Sequence, residues 1–173
     1  MKLWMLGNRL TTEIYERQRF VEESDKYNID LRLVYADEID LIVSRDDRKS
    51  IRHCNDIVSL PDGILARTGS GTDYFNLSVL RQFERMNVQT LPNSASIEAS
   101  KDKFHANQIL AQAGLPIPKT MLTRFPCKSE LVEQVVGFPC VLKVITGSHG
   151  DGVFLCEDAK HFEDLSELIS SLD

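Results

Sequence analysis

The sequence predicts an α/β protein made of a layer with a largely parallel sheet followed by a smaller α+β layer. In the first ninety-odd residues, short apolar segments alternate with helical patterns, which is typical of a parallel sheet. The pattern then changes to strand, helix, strand, strand, helix. Turn-forming residues separate the two patterns between Asn93 and Ser100, so we place the domains at residues 1–97 and 98–173.

The strands of the first domain are predicted from short apolar runs between polar residues and turn-formers. These runs are residues 2–6, 31–35, 41–43, 63–66 and 88–91. The clearest helix of this domain follows Thr72, which we interpret as its N-cap. Its apolar residues recur at helical spacing and are predicted to face the core; they are Phe75, Val79, Leu80, Phe83 and Met86.

The second domain is predicted to contain helices and strands in about equal number. Its first helix begins at Ser100 and ends at Gly114, and a strand over residues 119–125 follows. Asp158 is the predicted N-cap of the last helix. The two later helices have apolar residues at helical spacing, which are Leu131, Val132, Val135 and Val136, then Phe162, Leu165, Leu168, Ile169 and Leu172.

The most informative stretch is residues 138–155, where an apolar run with one lysine leads into a glycine loop and a second apolar run. Both runs are short and rich in Val, Ile, Leu and Phe, so the segment is predicted to be a β-hairpin. Gly147, Gly150 and Gly152 free the loop backbone to direct several N–H groups at one anion, and Lys143 adds a positive charge. The alternative is a glycine-rich turn without a ligand.

Two well-known phosphate loops do not match this segment, because the Walker pattern is absent and a Rossmann loop must open a helix. A second glycine segment, residues 67–72, does lie between a strand and a helix. There Arg67 could capture a carboxylate or phosphate beside the helix N-terminus, or could simply be exposed on a turn. Tyr74 replaces the third Rossmann glycine, which weighs against a dinucleotide-dependent oxidoreductase.

Lys101 and Lys103 lie in the first turn of the helix predicted from Ser100, where positive charges oppose the helix dipole. An anion in front of the helix would resolve that conflict. The alternative is that Asp102 and solvent screening suffice.

The composition narrows the class of protein further. A net charge of −6 argues against broad nucleic-acid binding. No apolar run approaches the roughly 20 residues that span a bilayer, and the first residues lack a signal-peptide core, so no membrane association and a cytoplasmic location are expected. The four cysteines follow no zinc-type spacing, and we expect all of them to be reduced and structural.

Several short motifs follow one another along the chain: Thr90-Leu91-Pro92-Asn93-Ser94, Ser100-Lys101-Asp102-Lys103, Gly114-Leu115-Pro116-Ile117-Pro118, and Phe138-Pro139-Cys140-Val141-Leu142-Lys143 with the loop Gly147–Val153. In this order and spacing they resemble the ATP-grasp superfamily, and within it the RimK-like carboxylate–amine ligases. The resemblance covers nearly the whole chain. It implies a Rossmann-like pre-ATP-grasp domain followed by the first α+β subdomain of an ATP-grasp fold.

The resemblance also implies roles for particular residues. Lys103 and Lys143 would contact ATP phosphates, and the glycine loop would fold over them as a lid. The loop residues concerned are Gly147, Ser148, Gly150 and Gly152. Arg67 and Asn93 would lie near the substrates. His149 and Asp151 depart from the family's loop, so His149 is expected to be an exposed lid residue.

For a complete enzyme, the resemblance implies that ATP phosphorylates a substrate carboxylate and that an amine attacks the acylphosphate, with glutamate as the amine or acid partner. Mg²⁺ would neutralise charge on the phosphates. In this family a second ATP-grasp subdomain supplies the magnesium and adenine ligands, and nothing after Gly152 offers such a set of residues. We therefore expect the N-terminal part of a longer ligase that does not catalyse ligation alone, and a homo-oligomer is one expected form of assembly. The rival hypothesis is a non-catalytic nucleotide-binding or interaction module.

Overall fold

The computed structural model describes residues 1–7, 14–43, 45, 51–69, 72–145 and 152–171. The chain divides into two units, Met1–Glu98 and Ala99–Asp173. Within the described ranges, no helix combines the length and the apolar composition needed to cross a bilayer.

The first unit is built around a parallel sheet. Its elements in chain order are β1 (Lys2–Gly7), α1 (Ile14–Lys26), β2 (Asp30–Tyr35), a 3-10 turn (Ala36–Glu38), β3 (Ile39–Leu41), β4 (Ile51–His53), β5 (Asp56–Ile57), β6 (Gly63–Arg67), α2 (Tyr74–Arg85) and β7 (Gln89–Leu91). The sheet order is β2-β1-β6-β7, and all neighbouring strands are parallel. This confirms the parallel α/β layer predicted for the first part of the chain.

A small antiparallel sheet, β3-β4-β5, accompanies the parallel one and corrects the strand predicted at residues 41–43. The strand is β3, in which Ile39 is 2% exposed and packs in the core. Ile42 and Val43 are 41% and 91% exposed. The prediction followed a run of consecutive apolar residues, whereas burial here follows the alternation of a half-buried strand.

Helix α2 packs its apolar face into the core of the first unit. Val79, Leu80 and Phe83 are fully buried, and the Phe83 ring meets that of Trp4 edge-on at 5.6 Å between centroids. Phe75, which was also predicted to face the core, is 43% exposed. That prediction was wrong: Phe75 has the helical spacing of the core residues, but it is the second residue of α2 and lies in the first turn.

The N-cap of α2 is Asp73, so the prediction of Thr72 was wrong. The Asp73 carboxylate accepts a hydrogen bond of 2.8 Å from the Asn76 N–H. The Thr72 hydroxyl instead donates to the Gly69 carbonyl oxygen at 2.7 Å, which closes the turn before the helix. Two adjacent residues with capping side chains compete for this position, and the turn uses one of them while the helix uses the other.

Helix α3 (Ser94–Lys101) spans the boundary between the two units, so the second unit begins in its last turn. Its own elements are α4 (Lys103–Gln112), α5 (Ser129–Val135), β8 (Cys140–Lys143), β9 (Val153–Cys156) and α6 (Ala159–Ser170). Asp158 caps α6 as predicted, with its carboxylate accepting from the His161 N–H. Val132, Cys156 and Phe162 form the centre of the core.

Three of the apolar residues at helical spacing in this unit are exposed. Leu131, Val135 and Leu168 are 46%, 42% and 57% exposed. Within the described residues this unit has the two-stranded sheet β8-β9, and α5 and α6 each bury a narrow stripe rather than the wide face that their apolar residues allow. Leu172 lies outside the described residues.

Residues 119–125 do not form the strand predicted for them. The segment has no regular secondary structure and pairs with no described strand, although Met121 and Phe125 pack against the core. Pro116, Pro118 and Pro126 bracket it and lack the N–H groups that a sheet ladder needs. The prediction of a strand here was wrong.

Candidate functional site

The hairpin predicted around the glycine loop is present in the second unit. Strands β8 and β9 are antiparallel, with Lys143 opposite Val153. A hydrogen bond of 3.0 Å from the Val144 N–H to the Gly152 carbonyl extends the pairing by one step. Lys143 therefore lies at the end of a strand that leads into the loop, as the sequence predicted.

Gly152 occupies a position that only glycine fills without strain. Its φ is +67°, and a Cβ added there would lie 2.5 Å from Val144 Cγ2. The close approach of Gly152 to Val144 is what lets the second strand begin directly opposite the end of the first. The other predicted loop residues, Gly147, Ser148 and Gly150, lie outside the described residues, as do His149 and Asp151.

The hairpin has one face in the core and one that is exposed. Cys140, Leu142 and Cys156 belong to the core face. The opposite side, which we call the exposed hairpin face, carries Lys143 among apolar side chains that are 41–55% exposed; these are Val141, Ile145, Val153 and Leu155. A flat apolar surface with one ammonium group at its end follows directly from the period of two along each strand.

Helix α4 begins at Lys103 because Asp102 caps it. The Asp102 carboxylate accepts from the Phe104 and His105 N–H groups, both at 2.9 Å. The prediction that Ser100 begins this helix was wrong, since Ser100 lies in the last turn of α3. The break puts Lys101 at a helix C-terminus, where its charge is favourable, and leaves Lys103 alone in a first turn.

Lys103 reaches the hairpin. Its ammonium group donates a hydrogen bond of 3.3 Å to the carbonyl oxygen of Ile145, two residues after Lys143. The structure thus brings the two lysines that the sequence selected to the same end of the hairpin. Among the residues that the structure describes, the Lys143 side chain is exposed and has no hydrogen-bonding or ionic partner. Two cations beside an apolar surface can bind an anion that carries a flat apolar group.

The two residues predicted to contact substrates lie in the first unit with partners of their own. Arg67, at the end of β6, forms an ion pair of 2.5 Å with Glu16 of α1, and both side chains are partly exposed. The side chain of Asn93 accepts a hydrogen bond of 2.7 Å from the Ser96 N–H and so supports the start of α3. Arg67 and Asn93 thus each have a structural role within the first unit.

Glu84 is the polar residue of this unit that the sequence reasoning missed. Its carboxylate accepts hydrogen bonds from the Thr90 hydroxyl and from the N–H and hydroxyl of Ser94, at 2.6–2.7 Å. Burial acts to raise the pKa of Glu84, but these hydrogen bonds outweigh it and the pKa lies below its ordinary value. Glu84 therefore fixes the turn between β7 and α3. Only the polar spacing of Thr90 and Ser94 could have signalled it.

A cluster of metal-ligand types lies elsewhere in the first unit, at Glu38, His53 and Cys54. The His53 Nε2 atom is 3.2 Å from Glu38 Oε2, and its Nδ1 is 3.1 Å from the guanidinium of Arg32. Since arginine can only donate, His53 Nδ1 accepts from Arg32, and the Nε2–H group donates to the Glu38 carboxylate. No lone pair at Nε2 then faces the cluster, so we assign no metal there.

Family models match both parts of the chain. A model of the RimK pre-ATP-grasp domain matches residues 1–97, and one of the RimK-like ATP-grasp domain matches residues 100–172. The chain belongs to the RimK-like ATP-grasp family. The family that the short motifs indicated is confirmed.

Curated relatives of this RimK-like chain are longer than it is. A probable alpha-L-glutamate ligase of Shewanella amazonensis is 30% identical over 161 residues, which are 92% of this chain and 53% of that protein. A probable alpha-L-glutamate ligase of Rhodopirellula baltica is 34% identical over 175 residues, which are 99% of this chain and 42% of that protein. The chain thus spans about half the length of these relatives.

Solved structures agree with the family in fold. A RimK domain ATP-grasp protein from Sphaerobacter thermophilus matches with a TM-score of 0.70 at 18% identity, over 100% of this chain and 60% of that one. The ATP-grasp ligase PsnB, complexed with its minimal precursor, matches with a TM-score of 0.67 at 16% identity, over 95% and 61%. The predicted fold class, a pre-ATP-grasp part followed by an α+β part of an ATP-grasp fold, is confirmed.

Proposed function

We propose that this RimK-like chain is the N-terminal part of an ATP-dependent carboxylate–amine ligase that acts through an acylphosphate. The observation that carries the proposal is the hydrogen bond from Lys103 to the Ile145 carbonyl. This contact places a second ammonium group beside the end of the strand that carries Lys143. ATP phosphates are the ligand that such a pair of lysines suits.

The exposed hairpin face supports ATP over a simple anion. Its apolar side chains would pack against the adenine and ribose, while Lys103 and Lys143 pair with the phosphates at its end. The positive φ of Gly152 is consistent with a loop whose backbone N–H groups turn toward the same phosphates. In this proposal Gly147, Ser148 and Gly150 complete the loop.

Mg²⁺ bound together with ATP would neutralise negative charge on the phosphates. Mg²⁺ prefers carboxylate oxygens, and within the described ranges the three-ligand cluster is that of Glu38, His53 and Cys54, which combines imidazole and thiol groups. We therefore propose that its protein ligands lie in a second half of the ATP-grasp fold, beyond Asp173. The relatives named alpha-L-glutamate ligases support glutamate as one substrate of a longer enzyme, for which we also propose a cytoplasmic location.

The test uses a chain that extends past residue 173 to the length of the relatives. Its thermal unfolding is measured with Mg-ATP and with NAD, and phosphate release from ATP is followed with and without glutamate. We expect Mg-ATP, and not NAD, to raise the unfolding temperature. We expect the release of phosphate from ATP to depend on glutamate. Stabilisation by NAD and not by ATP would overturn the proposal, and ATP binding without phosphate release with any carboxylate and amine would support a non-catalytic module.

Lys143→Ala tests the site itself within the same longer chain. We expect it to abolish most of the stabilisation by Mg-ATP. Lys160→Ala is the matched control, because Lys160 is an exposed lysine of α6 in the same unit. An unchanged ATP response in Lys143→Ala would contradict the role given to that lysine.

A further inference from the structure

Two cysteines face each other across the hairpin. Cys140 begins β8 and Cys156 ends β9, and the two are direct partners in the antiparallel register. Partners in such a pair point to the same side of the sheet. Both thiols lie on the core face, where Cys156 is fully buried and Cys140 is half-buried.

The backbone spacing at this pair allows a covalent link that is easily reduced. The hydrogen bond from the Val144 N–H to the Gly152 carbonyl makes those residues a hydrogen-bonded pair, and such pairs recur at every second position. Cys140 and Cys156 therefore form a hydrogen-bonded pair, with Cα atoms about 5.5 Å apart, within the range of about 4.4 to 6.8 Å that disulfides span. The Cβ atoms of such a pair lie toward the wide end of about 4.5 to 5.5 Å, whereas a relaxed disulfide has them about 3.5 to 4.5 Å apart, so the bond would be strained and more reducible.

The third cysteine of this unit is directed elsewhere. The Cys127 thiol donates to the carbonyl oxygen of Lys128 at 3.7 Å, although its side chain also packs on the same core. Cys54 belongs to the first unit and is exposed. Cys140 and Cys156 are thus the pair that the register selects from the four cysteines.

We propose that Cys140 and Cys156 form a reversible disulfide when the protein meets a low-molecular-weight disulfide such as oxidised glutathione. The Cys140 thiolate attacks one sulfur of oxidised glutathione, which forms a mixed disulfide and releases one reduced glutathione. The Cys156 thiolate then attacks the Cys140 sulfur, which forms the protein disulfide and releases the second glutathione. Both thiol protons go to solvent or to the leaving thiolates, and a dithiol reverses the reaction.

The bond would link the first residue of β8 to the last residue of β9, at the end of the hairpin away from the loop. Cys140 lies three residues before Lys143. In the reduced protein the apolar surroundings raise the pKa of both thiols, so the thiolates are scarce at neutral pH and the exchange is slow. The pair lies on the face opposite Lys143, so the disulfide is independent of whether the exposed hairpin face binds a nucleotide. A failure of one proposal leaves the other standing.

The test begins with the native wild-type chain, incubated at pH 8 with oxidised glutathione and then digested without reduction. We expect the free thiols to fall from four toward two and a linked peptide pair that contains Cys140 and Cys156. Reduction with a dithiol should restore the thiols. Four persisting thiols, glutathione adducts alone, or a link that involves Cys127 or Cys54 would each overturn the proposal.

Variants separate the two steps. Cys156→Ser should stop at the mixed disulfide, with glutathione retained on Cys140, whereas the double variant Cys54→Ser with Cys127→Ser should form the linked peptides as fully as wild type. Circular dichroism before oxidation confirms that each variant is folded. Loss of the linked peptides in the double variant would show that another cysteine takes part and would refute the pairing.

Discussion

The ammonium group of Lys103 lies 3.3 Å from the main-chain oxygen of Ile145, so the first turn of α4 is joined to the end of the hairpin. A lysine that donates to a backbone carbonyl keeps its positive charge. The two lysines of the candidate site are thereby held on one scaffold, although 40 positions separate them in the sequence.

Lys103→Met should weaken ATP binding in a chain extended to the length of the relatives. The variant keeps the length of the side chain and removes the charge, and a charge-assisted hydrogen bond contributes about 1.5 to 3 kcal/mol. We expect the dissociation constant of Mg-ATP, measured by calorimetry, to rise about tenfold or more. Lys160→Met, which removes a charge from α6, should change it less than twofold. Equal effects of the two variants would mean that net charge alone matters.

Gly152→Ala should destabilise the second unit by about 2 kcal/mol. The left-handed backbone costs a residue with a Cβ about 1 kcal/mol, and the displaced Val144 side chain costs about another. Urea unfolding of the chain measures the difference. Gly114→Ala is the matched control, because Gly114 has a φ of +72° and open space around its Cβ position. It should cost about 1 kcal/mol.

The double variant Gly152→Ala with Val144→Ala separates the two contributions. Truncation of Val144 removes the methyl groups that the new Cβ would meet. The destabilisation of the double variant should therefore be about 1 kcal/mol smaller than the sum of the destabilisations of the two single variants. Strict additivity would show that the contact with Val144 does not limit residue 152.

Asp102→Ala should lower the free energy of unfolding by about 1 kcal/mol, the usual cost of removing an N-cap. Asp102 receives two backbone N–H groups of α4, and alanine receives none. Asp102→Asn keeps an acceptor oxygen and should recover most of the loss. If Ser100→Ala proved more costly than Asp102→Ala, the helix boundary described above would be wrong.

Glu84→Gln should remove part of the pH dependence of stability of the first unit. The pKa of Glu84 in the folded chain lies below its ordinary value of 4.5, so its carboxylate stabilises the fold above that value. The stabilisation disappears as the pH falls from about 4.5 through the folded pKa. Melting temperatures of the wild type and the variant should differ at pH 6 and converge near pH 3. A constant difference across this range would contradict the assignment.

The elements that the sequence predicted well are those with local causes. The parallel strands and the hairpin around Lys143 follow from short runs of apolar residues. The N-cap of α6 depends on the side chain of Asp158. Where two capping residues were adjacent or close, as at Thr72 and Asp73, pattern alone could not decide between them. Phe75 shares the helical spacing of the buried residues but lies in the first turn of α2, and periodicity does not show whether the end of a helix is covered.

Features that depend on distant partners were beyond the sequence. Residues 119–125 alternate in burial as a strand does, but no described edge pairs with them. The carboxylate of Glu84 meets Ser94 across ten positions, and Lys103 meets Ile145 across 42. The strand before the glycine loop, the conflict with the helix dipole and the family motifs indicate the site lysines, and the fold shows how α4 brings one of them to the hairpin.

The contact between Gly152 and Val144 constrains the order in which this hairpin can evolve. A lineage that first replaces Val144 by a smaller residue opens space for a side chain at residue 152. The opposite order passes through a protein in which a new Cβ lies 2.5 Å from a valine methyl group. The two positions should therefore vary together among descendants of this chain, with the smaller residue at 144 appearing first.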